Sequence, residues 1–164
     1  MRAGLAADKL FFAAIYTAVA VLVVLSARGM IHHARDAAFY RDYLALWESG
    51  LTELRQRQPD WPAVTLDDPA AYMAALVDLM RGQGIVVPRG NTDSPYIYRL
   101  SRFGKAPRNL LLLGTTRQMR LFNVPEQTMR RLDRIIDGQA DPDKGRWTAA
   151  PSADGMTWNI QWRY

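Results

Sequence analysis

The chain of 164 residues contains no cysteine, which excludes a disulfide framework, a thiol nucleophile and a Cys-ligated zinc site. Histidine is nearly absent too. The only two, His32 and His33, are adjacent and would point about 100° apart on a helix, so they do not serve one catalytic triad. No serine sits in a G-x-S-x-G elbow, and neither a G-x-G-x-x-G nor a P-loop pattern occurs. These absences point to a non-enzymatic protein with no small-molecule substrate. Two further absences are positional. No charge interrupts Leu10 to Ala27, and no proline precedes Pro59.

The uncharged run LFFAAIYTAVAVLVVLSA occupies 18 positions. As a helix it reaches ~27 Å, enough to cross a bilayer core when its flanks snorkel. Helical character continues beyond it. Met30, Ala34, Ala37, Ala38, Leu44, Trp47, Leu51 and Leu54 follow three-four spacing, interrupted only by Arg41. Arg35, Asp36, Asp42, Glu48, Glu53, Arg55 and Arg57 fall on the opposite face. With no proline to break it, the helix would be a stalk of roughly 70 Å, half of it in lipid. Gly29 and Gly50 are the places for a bend.

The expected organisation is a tail over 1–9, a transmembrane segment over 10–27, an amphipathic stalk over 28–57 and a globular head over 58–164. The short tail favours an N-terminus in the cytoplasm and an exported head. A cleaved signal peptide ending near Ala27 is the competitor, with Leu25 a poor residue at minus three.

Within the head, Gln58-Pro59-Asp60-Trp61-Pro62 turns the chain away from the stalk. Asp68 caps a helix that begins at Pro69 and stops at Gly82. Strands are expected near 96–102, 109–116, 118–124, 146–149 and 156–164, with 103–107 as a connection and a helix from Pro125 to Gly138. The fold class is α+β: a long N-terminal helix, then a mostly antiparallel sheet of about four strands with two short helices.

Three groups of residues are candidates for function. The stripe Met30, Ala34, Ala38, Leu44, Trp47 and Leu51 would be split between packing its own head and packing neighbouring subunits. Tyr40, Tyr43 and Trp47 could instead form an interfacial aromatic belt. Between Arg99 and Arg134 stand Arg99, Arg102, Lys105, Arg108, Arg117, Arg120, Arg130, Arg131 and Arg134, against only Glu126 and Asp133. This basic face suits anionic lipid or nucleic acid, and it equally suits the wet side of a sheet. Finally Asp137, Asp141 and Asp143 lie in a glycine-containing loop, a donor set for calcium. The spacing is not that of an EF-hand, and a helix cap followed by an Asx turn explains the same residues.

The architecture resembles a type IV pilin or type II secretion pseudopilin. More locally, Phe122-Asn123-Val124-Pro125, the run MRRLDRIID from Met129 to Asp137, Gly138 and Gly145-Arg146 are similar to a stretch of many prepilin-like heads. Tyr96 to Leu100 is similar to their preceding strand. The resemblance implies a membrane-anchored subunit of a bacterial pilus or secretion machine. Its partners would be other membrane or pilin-like subunits and the lipid bilayer, its site the inner membrane, and its head periplasmic. The family's cleavage motif is absent: Gly4 is the one candidate glycine, and it would leave Leu5 first and Lys9 fifth, where the family has an aromatic residue and a glutamate. A divergent minor pilin, or a pilin-like protein that stays in the membrane, therefore fits better than a major subunit. A rival resemblance is to the single-span assembly-platform proteins of the same machines, with a ferredoxin-like head of α-β-β-α-β-β order. It requires 85–87 and 118–124 to be extras.

Overall fold

The computed structural model describes residues 2–64, 67–102 and 104–164, with side chains from residue 9 onward. Met1, at the start of the expected tail, and Phe103, in the expected connection, lie outside the described residues. The chain divides into two compact units, Met1–Arg35 and Asp36–Tyr164.

The first unit belongs to helix α1 (Arg2–Phe39). It includes a stretch apolar and long enough to cross a membrane, none of it buried. A signal sequence has the same properties.

The second unit is built around the continuation of the same helix. A π-helical turn, Tyr40–Leu44, links α1 to α2 (Ala45–Arg57). Its wide geometry is recorded by the bond from Ala45 N–H to the Tyr40 carbonyl, five residues apart rather than four. Then follow α3 (Pro69–Gly82), β1 (Ile97–Arg102), β2 (Lys105–Gly114), β3 (Gln118–Val124), α4 (Glu126–Asp137), β4 (Trp147–Pro151) and β5 (Trp158–Arg163). The strands form one sheet in the order β1-β2-β3-β5-β4, every neighbouring pair antiparallel. The α+β class holds, and the five strands stand near the five stretches read from the sequence, one more than the sheet of about four expected there.

Register explains the core. Directly paired residues share a face. Leu112, Leu121, Ile160 and Ala149 make one row across β2, β3, β5 and β4, and Gly114, Met119, Trp162 and Trp147 make the next. Against this face lies the helix: the Phe39 and Tyr43 rings sit 4.4 and 4.9 Å from that of Tyr98, and the Tyr40 ring is 5.9 Å from Trp162. Gly114 allows the closest approach, because a Cβ there would stand 2.7 Å from Leu51 Cδ1. Phe39, Tyr43, Leu44, Trp47, Leu51 and Leu54 are all buried, each worth about 1.5–3 kcal/mol of transfer free energy.

Polar contacts fix the periphery. The Tyr43 hydroxyl donates to Pro95 O at 2.9 Å, and that of Tyr72 to Gly114 O at 2.8 Å. Arg57 at the end of α2 donates to Gln83 O at 2.8 Å. Asp68 accepts from Ala71 N–H at 2.9 Å, as the expected helix cap. The left-handed residue that ends this region is Gly84, at φ +69°, rather than Gly82, which is still helical. The connection expected over 103–107 is shorter, since β2 begins at Lys105.

The ferredoxin-like alternative loses its footing here. Residues 85–87 form no strand, as that reading allows. Gln118–Val124, which it needs as an extra, is the middle strand and pairs with both β2 and β5. Asn123, at φ +65°, lies in the β3 irregularity between Leu121 and Val124, a bulge that redirects the strand into Pro125 and α4.

Candidate functional site

The first candidate surface is the apolar part of α1. Leu10, Phe11, Phe12, Tyr16, Leu22, Val23, Val24 and Leu25 are all more than half exposed, so this stretch presents far more contiguous apolar surface than water tolerates. The Thr17 hydroxyl donates to Ala13 O at 2.8 Å, so it is satisfied within the helix, as a lipid setting demands. A shallow groove runs along Tyr16, Thr17, Ala20, Val21, Val24 and Leu25.

The expected interface stripe divides. Leu44, Trp47 and Leu51 are fully buried within the second unit, whereas Met30 and Ala34 are exposed and Ala38 is half-buried. The first three are therefore core of the head, and the aromatic-belt alternative fails for Tyr43 and Trp47, which are buried in protein. Asp36 is the larger surprise. Expected on the solvent face, it is fully buried. It accepts from Arg102 through one oxygen and from Arg131 Nη1 at 2.9 Å through the other. Arg102 also donates to the Thr128 hydroxyl, itself buried. This cluster ties the helix to the end of β1 and to α4. Two positive guanidiniums around one carboxylate satisfy its charge where a lone buried carboxylate would be prohibitively costly.

The basic face is thereby dispersed. Arg102 and Arg131 point inward to Asp36, and Arg130 pairs with Glu126 one helical turn away. Arg120 lies on the outer sheet face opposite Leu113 and Gln161, beside the Gln118 carboxamide, whose oxygen accepts from it at 2.9 Å once the amide is turned to suit its neighbours. Arg99, Arg117 and Arg134 are exposed, as are Lys105 and Arg108, on β1, the β2–β3 turn, α4 and the start of β2. They do not form one contiguous face with the inward pair.

The aspartate loop is held by its own backbone. Asp137 Oδ2 accepts from Trp147 N–H at 2.9 Å. Asp141 accepts from Asp143 N–H at 3.2 Å and meets Lys144 Nζ at 3.1 Å; the Lys144 hydrogen bond, foremost, lowers the Asp141 pKa. Gly145 is required by this arrangement: it has φ +92°, and a Cβ there would fall 2.1 Å from Asp137 Oδ2. Among the described residues no three His, Asp or Glu side chains gather as metal ligands. The expectation of calcium on Asp137, Asp141 and Asp143 thus meets two carboxylates, those of Asp137 and Asp141, already engaged with protein donors.

Sequence reasoning passed over Asp133. It is fully buried on α4 with neither carboxylate oxygen in a hydrogen bond. Burial first, then the charges of Asp137 and Asp141, push its pKa up to about 6. Its spacing to Leu132 and Met129 on the apolar side of α4 is the signal that places it there. Glu48 is also raised, by burial, with Arg146 at 3.7 Å working in the opposite direction.

Comparison with models of known protein families, with curated proteins and with solved structures gave no match.

Proposed function

We propose that the protein is a non-enzymatic, membrane-anchored, pilin-like or pseudopilin-like subunit of a bacterial pilus or secretion assembly. A single observation carries this reading: one helix is bare and apolar over Leu10 to Leu25 and, from Asp36 onward, becomes the core strut of an antiparallel head. The bare part needs lipid or other apolar helices. The head needs the strut for its own core, so its association with partners falls to the apolar segment and to outward surfaces. In this reading the N-terminus is cytoplasmic, the head periplasmic, and the bilayer that of the inner membrane. The work is done by helix packing rather than by a reactive centre.

The experiment is intact-mass and N-terminal sequencing of the protein recovered from membranes, combined with photo-crosslinking from Phe12 and Val19. The expected result is a membrane-borne chain that retains Leu10 to Leu25 and crosslinks to itself or to another single-span subunit. A chain that begins near Arg28 would sink the reading, because the apolar stretch would then have been a signal peptide. A retained segment without protein crosslinks would leave only a lipid anchor.

A further inference from the structure

The two outer strands of the sheet, β1 and β4, are where another chain would ordinarily add a strand, since an edge presents alternate N–H and C=O groups with no partner. On β1 the direction is set by Leu112 N–H, which donates to Tyr96 O at 2.9 Å. Even-numbered residues therefore face β2, and Ile97 and Arg99 face outward. All four of their backbone groups are occupied. Ile97 N–H donates to Ser94 O at 3.0 Å, and Ile97 O accepts from the Thr92 hydroxyl at 2.6 Å. Arg99 N–H donates to Asn91 Oδ1 at 2.7 Å, while Arg99 O accepts from Asn91 Nδ2 at 2.8 Å. The Asn91 carboxamide thus imitates one residue of a neighbouring strand.

On β4 the Arg163 N–H bond to Arg146 O, at 2.9 Å, turns even-numbered residues toward β5 and odd-numbered ones outward. The outward donors are again used up. Trp147 N–H donates to Asp137 Oδ2 and Ala149 N–H to Pro142 O, at 2.9 and 2.8 Å. The third outward position, Pro151, has no N–H.

We infer that the Ile97–Arg99 stretch of β1 and the outward donors of β4 are closed to strand addition, with Asn91 and Asp137 central to that closure. Contacts between heads then run through side-chain surfaces and not through a continuous intermolecular sheet. The Asp137 carboxylate acquires a role in this account: it occupies the β4 edge, which is why Gly145 must lack a side chain. The inference stands on the hydrogen bonds alone and does not depend on the proposed function. A protein with no membrane partners could have the same closed edges, and a pilin-like subunit could lack them.

The test uses the full chain in detergent micelles and a fluorescent peptide copying Ile97–Arg102 as the strand probe, followed by anisotropy. Wild type is expected not to bind. Asn91→Ala, which removes both bonds to Arg99 at an exposed loop position, is expected to gain at least about tenfold in affinity while keeping its thermal midpoint. Asn91→Asp, which keeps the acceptor and loses the donor, should fall between the two and serves if the alanine variant does not fold. Equal binding by wild type and variants, or binding by none of them while folded, overturns the inference. Asp137→Ala with a peptide copying Trp147–Pro151 repeats the test at the other edge.

Discussion

Removing the carboxylate of Asp36 should be the most damaging single change in the head that leaves its apolar core untouched. Asp36→Ala removes the shared counter-charge of two guanidiniums whose side chains are only 11% (Arg102) and 26% (Arg131) exposed. Losing one member of a buried charge cluster costs about 3–5 kcal/mol. Arg131 can turn partly toward water, so the lower end, about 3 kcal/mol, is expected. For a unit of roughly 130 residues, with an unfolding entropy of about 2 cal/mol/K per residue, that corresponds to a fall of about 10 °C in thermal midpoint. The assay is thermal unfolding of the full chain in detergent, followed by tryptophan fluorescence, because Trp47, Trp147 and Trp162 are all fully buried in this unit.

Two companions make the measurement decisive. Arg41→Ala breaks the Arg41–Asp42 pair, whose side chains are 75% and 58% exposed, and should move the midpoint by less than about 2 °C. Replacing the cluster together, as Asp36→Leu with Arg102→Met and Arg131→Met, should recover most of the loss, since an apolar substitute avoids the desolvation penalty. An Asp36→Ala midpoint within 2 °C of wild type would refute the reasoning and mean that water already solvates both arginines.

Other perturbations test the rest of the unit. Leu51→Asp places a charge where Leu51 is fully buried, so the head should lose at least about 4 kcal/mol and become sensitive to protease; unchanged resistance would show that the stripe is not core. Gly114→Ala forces a methyl to 2.7 Å from Leu51 Cδ1 and should cost about 1–3 kcal/mol by overpacking, with partial rescue by Leu51→Val in the same chain. For Asp133 the native pKa, about 6, lies above the ordinary 3.8. The folded state therefore holds its proton more tightly, and stability is lost as pH rises from about 4 through 6. Asp133→Asn should accordingly stabilise the head by about 1–3 kcal/mol above pH 7, with the gain vanishing near pH 4 in parallel denaturant titrations; a pH-independent gain would assign the effect to packing. Millimolar calcium should leave the midpoint unchanged within about 1 °C, because Asp137 and Asp141 already serve Trp147 and Lys144. A saturable rise would show the loop rearranging to bind the ion.

The legible parts of the fold were those written in period and punctuation. The alternation of Gln118 to Val124, the Asp68-Pro69 start of α3 and the Gly138 stop of α4 depend on neighbours in sequence, and each appears as read. The first half of β2 was hidden because Lys105 to Asn109 is exposed throughout, so no alternation marks it as strand. Asp36 was illegible for a different reason. A charged residue on a helix reads as solvent-facing unless its counter-charges are known, and here they arrive from 66 and 95 residues away. The same mechanism acts from the other side on two members of the basic group: Arg102 and Arg131 read as surface in the sequence, while their partner lies inside. Asp133 shows that hydrophobic spacing outweighs residue type, since its place beside Leu132 and Met129 carries a carboxylate into the core.

The divided stripe also limits how the protein can associate. A helix cannot give one face both to its own sheet and to a neighbour, because burial by the first removes the surface the second would cover. Leu44, Trp47, Leu51 and Leu54 are fully covered by their own head, and Phe39 and Tyr43 almost so. The buried Asp36 cluster fixes that commitment at the first residue of the unit, where a shifted helix would leave three charged groups unmatched. The outward N–H groups of Ile97, Arg99, Trp147 and Ala149 are bonded within the chain and Pro151 has none, which disfavours a sheet ladder between heads. In the pilin-like reading, helix–helix association falls to the apolar residues before Asp36, above all Leu10 to Leu25, where the large side chains remain uncovered. A change in that segment should alter partners without altering head stability, and a change from Asp36 onward should do the reverse.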